Sequence, residues 1–163
     1  MIRTVCCSLA LLMWTGAAFA DPVCTKLAWP LDAERARMNA TADVVESGSM
    51  VRGTQGNVFI LALKHGAGLP VASQRSTDPE KFSGFAILPL PSAGDYFISL
   101  SQEGWIDAIQ NGVPAASTAH AGDPNCPGLR KSVRFTLSAS PLTLEISNAT
   151  SDRIVVAVTR THS

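Results

Sequence analysis

The chain has 163 residues with 13 basic and 13 acidic side chains, so its formal charge is zero. A balance of this kind offers no electrostatic footprint for nucleic acid or for an anionic membrane surface. The length suits one ordinary domain with its own core.

Residues 1–20 read as an export signal. Arg3 supplies the positive start, Val5 to Trp14 is apolar but too short to span a bilayer, and Ala18-Phe19-Ala20 is an A-x-A cleavage pattern ahead of Asp21-Pro22. Cys6 and Cys7 come too early for a lipobox. The expectation is a periplasmic or secreted protein without stable membrane insertion after cleavage, with residues 21–163 as one domain. The mature chain then keeps twelve basic and thirteen acidic residues, because Arg3 leaves with the signal. Cys24 and Cys126 are the two cysteines that remain. In an oxidising compartment a widely spaced pair without C-x-x-C spacing predicts a structural disulfide.

One helix is predicted, over about 31–38. Pro30 suits the first turn, Asp32 and Glu34 favour the positive end of the dipole, and Leu31, Arg35 and Met38 share a side. Gly48 to Gly56 is turn-rich, with a short strand expected around Ser49 to Arg52. Val58 to Leu63 is an apolar run of strand length, and Lys64 to Ser83 reads as a long polar loop. Phe85 to Leu90 forms the next strand, ended by Pro89 and Pro91, which suits an edge. Tyr96, Ile98 and Leu100 share a face of the strand that Gly94-Asp95 opens. Trp105 to Gln110 follows, and Asn111-Gly112 is a strong turn signal. Gly112 to Gly128 reads as a second long loop.

Residues 131–159 carry the plainest pattern. Val133, Phe135 and Leu137 alternate with polar neighbours, as do Leu142, Leu144 and Ile146, and Ile154, Val156 and Val158 repeat the spacing. Side chains on a strand alternate with period two, so each strand buries one face and wets the other. The fold class predicted is all-β: an antiparallel, jelly-roll-like β-sandwich of about seven to eight strands with one short N-terminal helix.

Chemistry is sparse. Among the nucleophile, phosphate and metal motifs, neither G-x-S-x-G, nor G-x-x-x-x-G-K-[ST], nor H-E-x-x-H occurs. The weak metal candidates are His65 and His120, in the two long loops, with Asp107 or Asp123. Such a set would make a 2-His-1-carboxylate iron site. His162 stands next to the C-terminus.

Asp107 depends on register. It is buried and in need of a partner if Trp105 and Ile109 face inward, organising the 112–128 loop around His120. It is solvated if Ile106 and Ala108 face inward. Arg130 and Lys131 form a basic group with Arg134 that suits an anionic ligand, or serves only to guard a sheet edge. The candidate ligand-binding residues are therefore Asp107, His120, Asp123, Arg130 and Lys131. Most of the aromatic residues fit core positions, and Phe82 and Phe97 are the candidate members of a stacking platform.

Gly94-Asp95-Tyr96-Phe97-Ile98-Ser99-Leu100, followed by Trp105-Ile106-Asp107, resembles the G-x-Y-x-(V/I)-x-L strand of pre-peptidase C-terminal-like β-sandwiches. Residues 130–137 and 142–147 are similar to that module's closing strands. The mature chain also resembles a group of small exported proteobacterial proteins without an assigned activity. The first resemblance implies a non-catalytic accessory module, sometimes calcium-binding, and supplies no site residues.

The function expected from all this is an exported non-catalytic binding or accessory module for a small-molecule, glycan or protein ligand, needing no cofactor. One alternative is a small metal-dependent enzyme, an iron oxygenase like homogentisate 1,2-dioxygenase, with calcium as the other cofactor alternative. Another alternative is an envelope structural or interaction protein.

Overall fold

The structure is a computed structural model that describes residues 24, 27–52, 58–66, 68–71, 73 and 76–161. The export segment 1–20 and His162 lie outside the described residues. One helix, α1 (Asp32–Met38), precedes eleven strands: β1 (Val44–Glu46), β2 (Val58–Ala62), β3 (Lys64–His65), β4 (Phe82–Leu88), β5 (Gly94–Leu100), β6 (Trp105–Gln110), β7 (Val113–Pro114), β8 (Ser117–Gly122), β9 (Lys131–Leu137), β10 (Leu142–Ala149) and β11 (Arg153–Arg160). They form a six-stranded sheet, β1-β2-β11-β5-β9-β8, and a five-stranded sheet, β3-β4-β10-β6-β7.

Eight of these strands pair from the outside of the chain inward: β2 with β11, β4 with β10, β5 with β9, and β6 with β7. The nested pairs join through β11–β5 and β10–β6. That is the antiparallel jelly roll, to which β1, β3 and β8 add edge strands. The sandwich was legible as a class, but eleven strands exceed the seven to eight expected. The surplus comes from pieces of two or three residues and from β8, whose six residues replace part of the long loop expected at 112–128. The strand expected around Ser49 to Arg52 is reduced to a bridge between Met50 and Ile87.

The alternating residues meet between the sheets. Phe59 and Leu61 of β2, Ile98 and Leu100 of β5, Leu144 and Ile146 of β10, and Ile154 and Val156 of β11 are all buried there. Tyr96 also reaches this core, and its hydroxyl finds a partner by donating to the Ser92 carbonyl at 2.7 Å. A second cluster lies on the outer face of the larger sheet. There Leu31, at the N-terminal end of α1, and Met38 of α1 pack with Leu129, Cys126 and Ala157, and the Cys24–Cys126 disulfide ties the N-terminal segment down.

The helix matches its predicted span but turns Glu34 inward rather than Arg35. Glu34 is 4 % exposed, and Arg35 is only half-buried. Ser99 Oγ lies 2.8 Å from Glu34 Oε1 and 2.8 Å from Ser132 Oγ, and Thr159 Oγ1 lies 3.5 Å from the same carboxyl oxygen. Burial pushes the Glu34 carboxyl above its ordinary range. The Ser99 bond, the Arg37 charge and the Thr159 bond pull against that rise.

Asn111 and Gly112 turn β6 into β7 with φ of 54° and 76°, as the dipeptide predicts. Asn148 also has a φ of 54°, but it sits inside β10 rather than in the turn after it. Between Ile146 and Ala149 the register against β4 slips by one residue, so Ser147-Asn148 is a bulge.

Candidate inter-sheet cleft

Trp105, Asp107 and Ile109 alternate on β6 with Ile106 and Ala108, and it is Ile106 and Ala108 that enter the core. Asp107 therefore lies on the outer face of the five-stranded sheet, the second of its two registers. It is not simply solvated there, because Ser73 Oγ donates to its Oδ2 at 3.0 Å. The partner comes from the described residues of the 64–83 loop, not from the 112–128 segment expected.

The described residues of that loop, Val71, Ser73, Ser76 and Asp78 among them, lie across the outer face of the smaller sheet as a strap. Val71 N donates to Glu145 Oε1 at 2.8 Å, Asp78 N donates to Asn148 Oδ1 at 2.8 Å, and Asn148 Nδ2 donates to the Ser76 carbonyl at 3.0 Å. The bulge at Asn148 turns its amide outward to take both strap contacts. Beneath the strap, Glu145 is the register partner of Asp107 and is 1 % exposed. Its Oε2 and the neighbouring Ser147 Oγ have no hydrogen-bond partner among the described residues. Burial raises the Glu145 carboxyl above its ordinary range. The Val71 N–H opposes the rise, and the Asp107 charge adds to it.

On the open side of the sandwich the sheets part into a cleft of about 990 Å³ between β6 and the β8–β9 pair. Ile106, Ala115, Val133 and Phe135 supply its apolar wall. Residues opposite each other on paired strands share a face. His120 opposes Val133 and Gly122 opposes Lys131, so His120 and Lys131 both turn to the cleft side. Trp105 stands at the mouth with 40 % of its surface exposed, and Lys131 Nζ lies 4.7 Å from its ring centroid. This cation–π contact joins the two sheets across the opening. The remaining charge is mixed: Lys81 and Arg130 against Asp78, Glu103 and Asp107.

Four of the five ligand-binding residues expected from sequence, Asp107, His120, Arg130 and Lys131, thus line one cleft. Asp123 does not. It is 2 % exposed, its Oδ1 accepts the Asn125 N–H at 3.0 Å, and its carbonyl accepts the Cys126 N–H at 3.2 Å, so it shapes the turn that carries the disulfide.

The iron arrangement is not assembled. His65 sits on β3, at the sheet edge away from β6 and β7, with its ring 3.9 Å from that of Phe82. His120 belongs to β8, on the cleft side. Among the described residues no three His, Cys, Asp or Glu side chains converge.

The expected stacking platform is also occupied elsewhere. Phe82 packs against the core and His65, and Phe97 stacks on Trp29 at 5.1 Å with an 18° interplanar angle. Trp105 is the exposed aromatic residue instead. Its signal was its parity with Asp107: once Ile106 and Ala108 are inward, an indole at that position has to face out.

Among the described residues no helix is long and apolar enough to cross a membrane. Comparison with protein-family models, with curated proteins and with solved structures finds no match.

Proposed function

We propose that the chain is an exported, non-catalytic binding module, periplasmic or secreted, whose ligand enters the inter-sheet cleft and rests on Trp105. The exposed indole at the cleft mouth carries this reading. Among the described residues the exposed large apolar side chains are Val44, Met50, Trp105 and Val113, and of these Trp105 alone lines the cleft. An indole presents a broad apolar face to a sugar ring, a planar group or a peptide side chain. Lys131, Arg130 and His120 beside it supply hydrogen-bond donors, and Asp107 and Glu103 supply acceptors. Mixed charge with a stacking surface is the equipment of recognition. The A-x-A signal and the Cys24–Cys126 bond support an oxidising, extracytoplasmic destination.

The test is a fluorescence titration of the mature protein carrying Trp29→Phe, which leaves Trp105 as its indole reporter. The probes are neutral and uronic oligosaccharides and short synthetic peptides. Saturable quenching or a blue shift, abolished by Trp105→Ala, is expected from at least one class. Binding that leaves the Trp105 signal unchanged, or that survives Trp105→Ala, overturns the reading.

A further inference from the structure

The two sheets have four edges. Three are blunt: β1 has three residues, β3 has two, and β7 has two, one of them Pro114. The fourth, β8, runs for six residues, Ser-Thr-Ala-His-Ala-Gly, with no proline and no acidic or basic residue other than His120. Natural sheets protect their edges by shortness, proline or charge, because an open edge offers main-chain N–H and C=O groups to any passing strand. β8 has none of these three devices; a bulge between Ser117 and Ala119 interrupts its register against β9, and Ala119 to Gly122 remain a regular open edge. The side chain of Thr118 turns back to β9, where its Oγ1 donates to the Arg134 carbonyl at 3.2 Å and accepts from Arg134 Nε at 3.1 Å.

β8 is at once this open edge and a wall of the cleft, to which Ser117, His120, Ala121 and Gly122 contribute. The cleft changes character along it. Ser117 opposes Phe135, near Ala115 and Ala116, and Gly122 opposes Lys131, near Arg130 and Glu103. A strand added outside Ala119 to Gly122 would continue that alternation, with every second side chain turned toward the cleft, and the bulge shifts the register at Ser117.

We infer that β8 takes an extended polypeptide segment as a seventh strand of the larger sheet. The segment places an apolar side chain at the Ser117–Phe135 end and a charged one at the Gly122–Lys131 end. Main-chain hydrogen bonds to β8 provide affinity, and the cleft provides sequence preference. This inference rests on the binding reading above and names its ligand class. A second copy of the chain fits less well. The inner-face residues a second β8 would bring are Ser117, His120 and Gly122, too small to fill a cleft of about 990 Å³.

The experiment pans the mature, disulfide-intact protein against a random heptapeptide library displayed on phage, then titrates synthetic hits into ¹⁵N-labelled protein. Hits with alternating apolar and polar residues, apolar toward one end and charged toward the other, are expected to shift the amides of 117–122 and the Trp105 indole. Of the neighbouring amides of Ala119 and His120, one points to β9 and the other outward. Ala119→Pro and His120→Pro are therefore both made, and whichever retains the wild-type fold blocks the edge. Affinity should fall tenfold or more in that variant, and likewise in Trp105→Ala, which leaves the β8 main chain untouched. Hits that shift neither β8 nor the indole, or that ignore the proline variant, overturn the inference. Oligosaccharide binding at Trp105 with no peptide hit leaves the cleft reading standing and removes the peptide. Concentration-dependent dimers that protect the β8 amides, with no peptide hit, replace the segment by a second copy.

Discussion

Replacing Glu145 by Gln should stabilise the protein at neutral pH, although it removes a buried group that accepts a hydrogen bond. Glu145 Oε1 holds the Val71 N–H, but Oε2 has no described partner, and Asp107 is the residue directly across the ladder. Cross-strand neighbours have Cβ atoms about 5 Å apart. Two negative charges at about that distance repel by about 3 kcal/mol at an effective dielectric of about 20, an upper bound here because side chains splay apart. An unsatisfied buried acceptor costs about 1 to 3 kcal/mol. Glutamine keeps the acceptor for Val71, loses the charge and gains donors that can reach Ser147 or Asp107, at the expense of one weakened charge-assisted bond. The net expectation is a gain of about 1 to 2 kcal/mol.

The sign is pH-dependent. Because the Glu145 carboxyl is raised in the fold from 4.5, its contribution is fully present below that value and is lost as pH rises through the folded pKa. The advantage of Glu145→Gln should therefore grow between about pH 4.5 and neutrality. Urea unfolding of both proteins across that range measures it. A variant less stable than wild type at neutral pH, or a difference that does not move with pH, would refute the reading of Glu145 as a carboxyl raised by burial and by Asp107. Glu34, also raised from 4.5, carries the same sign, so Glu34→Gln serves as an independent check at the helix.

Three further outcomes follow from the packing. Cys24→Ser with Cys126→Ser opens a loop of 102 residues and should cost about 4 to 5 kcal/mol in the chain-entropy account, read as a fall in the urea midpoint. Gly84→Ala places a Cβ 2.8 Å from Ser47 Oγ and 2.9 Å from Leu63 Cδ2, so a loss of about 1 to 3 kcal/mol is expected in thermal unfolding. Asn148→Ala removes both amide contacts to the strap and an Asn suited to positive φ. It should cost about 1 to 3 kcal/mol and speed hydrogen exchange at Val71 and Asp78, with β5 and β9 unchanged.

What could be read from sequence and what could not divide by range. The alternation in β9, β10 and β11, the Asn111-Gly112 turn and the lone cysteine pair are signals within a few residues or a single pairing choice, and each predicted its structure. Glu145 was legible only as a residue on the wet face of β10. That face is dry because Val71 and Asp78, some seventy positions away, are tied down across it. Glu34 and Arg35 are neighbours on one helical turn, and periodicity alone favours neither. The hydroxyls of Ser99 and Ser132 on two distant strands select the carboxylate. β8 escaped because its residues are too small and polar for alternation to show, so only pairing with β9 reveals a strand.

The same limit explains the site. Asp107, His120, Arg130 and Lys131 were singled out for their chemistry, yet nothing in their spacing said that they share a cleft. They do so because the jelly roll brings β6 beside β9 from opposite sheets and leaves that side open, with β7 too short to close it. Elsewhere the fold covers its faces: α1 and the disulfide lie on the larger sheet, and the strap lies on the smaller one. The opening between β6 and β8 is left with an exposed indole, a cation above it and a main-chain edge without proline, lysine, arginine or carboxylate. An exposed apolar ring and an open strand edge both invite aggregation, and stability alone supplies no reason to keep them side by side. A ligand that covers both does.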